Sequence, residues 1–134
     1  MIKLITGKEG SGKTKILIDA INKAEEITKG NVVAIQIGSS LNLNVSHRIR
    51  LINIEDWDIN DYNSFYGLIA GVLASDYDVT HIFVDGIFRI VGRDYEKVSE
   101  LFDKIDKITD DVEVTLTVSA DESELNEGIL KFKK

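Results

Sequence analysis

The stretch Gly7-Lys8-Glu9-Gly10-Ser11-Gly12-Lys13-Thr14 separates two segments of different period. Before it, Ile2-Lys3-Leu4-Ile5-Thr6 is an apolar run of strand length. After it, Leu17, Ile21, Ala24 and Ile27 recur at helical spacing and line one face. A strand that runs through a glycine-rich turn straight into an amphipathic helix is the opening unit of an α/β fold, and it constrains this chain more than any other feature.

The remainder follows the same alternation. Apolar runs predict strands at Val32 to Ile37, Arg50 to Ile54, His81 to Asp85 and Val112 to Ser119, five with the first. Gly30 is expected to end the first helix. A second helix is expected after Asn60, a candidate cap, with Phe65, Ile69, Val72 and Leu73 at helical spacing. Asp94 is expected to cap a third, which places Val98, Leu101, Phe102, Ile105 and Ile108 on one stripe. The irregular stretch from Gly38 to about His47, broken by Ser39, Ser40, Asn42 and Asn44, is a candidate mobile loop. A parallel sheet flanked by helices, in one domain spanning 1–134, is the expected architecture.

Glycines in a Gly-x-x-x-x-Gly-Lys-Thr loop let the backbone bend tightly enough to aim several N–H groups at one anion. Lys13 is placed to reach the β and γ phosphates of a nucleotide, and the Thr14 hydroxyl to coordinate magnesium. The helix that follows turns its positive end toward the same charge. On these residues the chain resembles the P-loop NTPase superfamily, with Gly7, Lys8, Glu9, Gly10, Ser11, Gly12, Lys13 and Thr14 as the Walker A loop. Ile82-Phe83-Val84-Asp85 looks like the superfamily's second signature, Walker B, and implies Thr14 and Asp85 as metal-shell residues. The resemblance implies a three-layer P-loop NTPase-like fold of about five mainly parallel strands. The organisation is also similar to small, free-standing bacterial ATP-binding P-loop proteins. Some of these carry names borrowed from pilus-retraction motors, which are much longer, so that name is not carried over.

Many hydrolysing members of the superfamily place a glutamate beside the magnesium-binding acid, where this chain has Gly86. Glu55 or Asp56, just after the third strand, are alternative acids at the sheet edge where ligands bind in open α/β folds. Ser119 ends the last strand, as does the polar sensor of some P-loop ATPases, although the reading favoured over it is that Ser119 or Asp121 caps a short C-terminal helix begun by Glu122 and Glu124. The polar end of that strand favours a position between the glycine-loop strand and the Asp85 strand. The arginines are Arg48, Arg50, Arg89 and Arg93; the last two follow Asp85 in an expected loop, where a guanidinium could stabilise charge on a phosphoryl group. Lys13, Glu55, Ser119 and Arg93 form the expected catalytic set.

Composition removes several alternatives. There is no cysteine, hence no disulfide, thiolate nucleophile or cysteine-held zinc. A net charge of −7 argues against a nucleic-acid footprint, which needs clustered lysine and arginine; His47-Arg48-Ile49-Arg50 is basic but too small. No apolar run reaches membrane-spanning length, so no membrane association and a cytoplasmic location are expected. Asn22-Lys23-Ala24-Glu25 lies on the first helix and does not qualify as a guanine-reading motif, which tilts the expectation toward ATP. The expected function is an ATP- and Mg2+-binding protein, slowly hydrolysing, whose Gly38 to His47 and Gly86 to Arg93 segments switch with the nucleotide and signal to a protein partner. Two alternatives stand beside it: a nucleoside-type small-molecule kinase, and a nucleotide-binding module without turnover.

Overall fold

The computed structural model describes residues 1–42 and 44–133; Leu43, inside the irregular stretch, and Lys134 lie outside the described residues. Its strands are β1 (Ile2–Gly7), β2 (Asn31–Gln36), β3 (Arg50–Asn53), β4 (Val79–Val84) and β5 (Glu113–Ser119). Its helices are α1 (Lys13–Ile27), α2 (Tyr62–Ser75), α3 (Ile87–Val91), α4 (Tyr95–Ile108) and α5 (Glu127–Leu130), with 3-10 turns at Ile54–Trp57 and Glu122–Glu124.

The five strands form one sheet in the order β1-β5-β4-β2-β3, and every pairing is parallel. The last strand therefore lies between the glycine-loop strand and the Asp85 strand, as expected from its polar end. Parallel sheets are covered on both faces, and alternate strand residues divide between the two layers. Val32, Ala34 and Phe83 meet Leu17, Ile21 and Ala24 of α1 on one face. Val33, Ile35, Ile82, Val84, Val114 and Leu116 point the other way, into a larger core closed by Phe65 and Ile69 of α2 and by Val98, Leu101, Phe102 and Ile105 of α4. Burial of each valine, leucine, isoleucine or phenylalanine among them contributes about 1.5–3 kcal/mol.

Several local expectations are corrected. Asp61, not Asn60, caps α2: its carboxylate accepts the Ser64 amide at 2.7 Å, and the Asp61 amide donates back to Ser64 Oγ at 3.1 Å. Gly30 does not end α1, which stops at Ile27 with the Thr28 amide bonded to Ala24 O. Instead the chain at Gly30 passes so close to Asp78 that a Cβ would lie 2.2 Å from its carbonyl oxygen. Ile27 and Ile108, placed on the buried stripes by spacing, are 69% and 37% exposed at the helix ends. The expected loop from Gly86 to Arg93 is helical over Ile87–Val91, where Ile87, Phe88, Ile90 and Val91 are buried; Arg93 lies beyond the helix end at Gly92. Asp94 caps α4 as expected, accepting the Lys97 amide. Among the described residues no helix is long and apolar enough to cross a membrane.

Candidate functional site

Parallel pairing brings the C-terminal ends of β1, β5 and β4 to one edge of the sheet. Gly7 pairs with Ser119, and Val84 pairs with Leu116, so Asp85 emerges beside Thr117. The glycine loop leaves β1 at this edge. Gly7, Gly10 and Gly12 all take positive φ, and the Ser11 amide bonds back to Lys8 O at 3.1 Å. Gly12 is the N-cap of α1 and brings no side chain, so no side-chain cap bonds the amides of the helix start, and the first turn holds no acidic residue of its own.

Lys13 is only 7% exposed, and its ammonium folds over the loop to donate to Lys8 O at 2.8 Å. A lysine held this way keeps its charge at the loop rather than in bulk water. One residue on, the Thr14 hydroxyl lies 3.3 Å from both carboxylate oxygens of Asp85, 71 residues away in sequence. Asp85 is 2% exposed and acts as the acceptor of several hydroxyls. Thr117 Oγ1 donates to its Oδ1 at 2.9 Å, while Ser40 Oγ donates to its Oδ2 at 2.8 Å. Thr117 in turn accepts the Gly86 amide at 2.7 Å, so the buried hydroxyl is used as both donor and acceptor. The Arg89 guanidinium stands 4.0 Å from Oδ2.

These groups line a cleft of about 460 Å³ whose walls include Gly10, Gly12, Lys13, Thr14, Ser40, Asp85, Gly86, Arg89, Thr117 and Ser119. The lining could serve an anion together with a hard cation: a helix start and a lysine are groups that attract negative charge, and a hydroxyl with a carboxylate offers hard oxygens beside them. Among the described residues no cluster of three acidic, histidine or cysteine side chains forms a self-sufficient metal cage. Thr14 and Asp85 fit magnesium, which takes one or two protein oxygens and completes its shell with phosphate and water.

The other expected residues fall in different places. Ser119 lines the cleft, and Asp121 caps the turn at Glu122–Glu124 by accepting the Ser123 amide. The Ser123 hydroxyl holds the Asp121 carboxyl below its ordinary value. Arg93 is not among the cleft's lining residues: it donates to Ser119 O at 2.8 Å, with its guanidinium carbon 5.0 Å from the centre of the Phe88 ring. Glu55 follows the C-terminal end of β3 and so shares this edge as expected, but β3 is the outer strand beyond β4 and β2; Glu55 does not line the cleft, and its carboxylate accepts the Gly38 amide at 2.9 Å. Ser40 and Thr117 are cleft residues that the sequence reading did not assign, and Arg89 takes the position in the cleft that it gave to Arg93. No protein-family model matches the chain, and no curated protein matches it.

Proposed function

We propose that this chain binds ATP with magnesium in the cleft between the glycine loop and Asp85, and that it acts as a slowly hydrolysing, nucleotide-dependent switch on a protein partner in the cytoplasm. The observation that carries the reading is the meeting of Thr14 and Asp85 at 3.3 Å, directly beside the buried Lys13. Two segments far apart in sequence thereby supply the hydroxyl and the carboxylate that a magnesium nucleotide requires, at the start of a helix suited to phosphate. Bound magnesium would neutralise charge on the β and γ phosphates. Lys13, now bonded to Lys8 O, would be free to turn to phosphate oxygens, and the Gly7–Thr14 backbone would hold the chain of phosphates. Arg89, next to Asp85 and on the cleft wall, is better placed than Arg93 to meet charge on the terminal phosphate.

Turnover is expected to be slow because orienting the attacking water is a large part of this chemistry. Gly86 offers no carboxylate, and the Glu55 carboxylate is engaged by Gly38. The same observations favour a second reading, a module that binds without turnover. Titration with a fluorescent ATP analogue tests binding: Lys13→Ala should weaken it at least tenfold, and unchanged affinity would refute the assignment. Phosphate release that disappears in Asp85→Ala would reject the inert module. Saturable phosphorylation of an added nucleoside would support a small-molecule kinase instead.

A further inference from the structure

Asp85 Oδ2 holds one hydroxyl that belongs to neither the glycine loop nor β5, that of Ser40. Ser40 lies in the short segment Gly38–Asn42, which is tied down at several points besides Asp85. The Leu41 side chain is fully buried against Leu17 and Ile21 of α1, the helix that grows from the glycine loop. The Leu41 amide donates to Gln36 Oε1 at 2.9 Å, and Gln36 Nε2 donates to Asn42 Oδ1, so a buried glutamine spans the segment. Gly38 is gripped from β3 and its following turn: its amide by Glu55, and its carbonyl by Asn53 Nδ2 at 2.8 Å. One exposed serine thus connects the buried acid of the cleft to an otherwise braced strap, and the strap is anchored at the C-terminal end of β3, the outer strand of the sheet.

A cation that takes the lone pairs of Asp85 Oδ2 competes with the proton Ser40 donates there. Serine can answer this competition because its hydroxyl accepts as well as donates: turned over, its oxygen can ligate the cation or accept from a metal-bound water. Alanine can do neither.

We propose that Ser40 is a third protein oxygen of the metal site, with Thr14 and Asp85, and that through it the occupancy of the cleft is transmitted to Gly38 and Glu55. The proposal rests on the magnesium-nucleotide reading above. Glu55 is then an anchor of the responding segment rather than a group that acts on water, which accounts for its contact with Gly38 and its distance from the cleft wall.

Ser40 is exposed, so removing its hydroxyl leaves the core intact. The test compares the wild type, Ser40→Ala and Ser40→Thr in titrations with a fluorescent ATP analogue, once in EDTA and once in magnesium. Affinity in EDTA should change less than about twofold in Ser40→Ala, while the strengthening produced by magnesium should fall about tenfold, the scale of one hydrogen bond to a charged group. Ser40→Thr keeps the hydroxyl and should retain the magnesium effect. Hydrogen exchange supplies a readout independent of affinity: magnesium nucleotide should protect the Gly38–Asn42 amides in the wild type and not in Ser40→Ala. A magnesium effect in Ser40→Ala equal to that of the wild type, or its loss in Ser40→Thr as well, overturns the role of the hydroxyl while leaving nucleotide binding in place. A wild-type protein that binds no nucleotide in magnesium removes the underlying reading and this proposal together.

Discussion

Gly86 occupies the position where a carboxylate would be most useful to a hydrolase, and the backbone shows what placing one there would cost. Gly86 has φ 84° and ψ 55°, in the left-handed region, where it caps the start of α3. A side chain in that region costs about 1–2 kcal/mol. An added Cβ would also lie 2.7 Å from both Nε and Nη2 of Arg89. That second conflict is cheap to relieve, because the far end of a flexible arginine can swing aside, but the swing moves the guanidinium away from Asp85. For a chain of 134 residues the unfolding entropy is about 0.28 kcal/mol/K, so 1–2 kcal/mol lowers the melting temperature by about 4–7 °C. Thermal unfolding of Gly86→Ala followed by circular dichroism should show that loss. The loss should persist in an Arg89→Ala background, since its source is the backbone at Gly86. A drop below about 2 °C, or one that vanishes once Arg89 is truncated, would refute the argument from backbone conformation. Gly86→Glu carries the same backbone cost, which gives a physical reason why the residue after Asp85 is not a glutamate.

Two further predictions concern parts of the fold that support the site. Leu41→Ala removes a fully buried side chain from the α1 face and should destabilise the protein by about 2–3 kcal/mol, the lower end for such truncations because a surface segment can settle; urea denaturation checks it, and a neutral result would mean the strap is not anchored in the core. Glu113 hydrogen-bonds Lys3 across the β1–β5 pair, with His81 Nε2 3.0 Å from its other oxygen, and the Lys3 bond is the largest cause holding its carboxyl below the ordinary 4.5. The unfolded chain then binds a proton at a higher pH than the folded one, so this contribution is complete above about pH 4.5 and is lost as pH falls through the lower folded value. Urea midpoints between about pH 3 and 6 should converge for wild type and Glu113→Gln at the acid end, and a constant difference across that range would count against the linkage.

Strands and long helices were legible because each announces itself over a short window. The runs around Leu4, Ile35, Phe83 and Leu116 became β1, β2, β4 and β5, and the stripe from Val98 to Ile105 became the buried face of α4. What failed lay at boundaries, where tertiary neighbours decide. Gly30 reads as a helix terminator in isolation, yet its role is to let the backbone pass Asp78. Ile27 and Ile108 continue their stripes in sequence, but each stands in the last turn of its helix and remains partly or largely exposed. The α3 helix was available to a closer reading: Ile87, Ile90 and Val91 recur at i, i+3 and i+4, a signal hidden by the flanking Gly86 and Gly92.

The candidate site divides along the same line between local and non-local information. Lys13 and Thr14 are legible because a continuous motif carries them, and Asp85 because a buried strand ends just before it. Thr117 is a cleft residue only because Val84 pairs with Leu116; a register shifted by one residue would turn its hydroxyl to the other face and leave Asp85 without that donor. Ser40 is harder still, since nothing within its own segment points to Asp85, 45 residues away. Arg89 and Arg93 are four residues apart, yet only Arg89 lies against Asp85 while Arg93 is drawn to Ser119 O. Choosing between them required knowing that Arg89 sits within α3 whereas Arg93 lies beyond its end, past Gly92 with φ 95°. The residues invisible to the motif, Ser40, Thr117 and Arg89, are those that meet the motif's acid from other elements, so they are where the behaviour of this cleft should differ from that of the glycine loop alone.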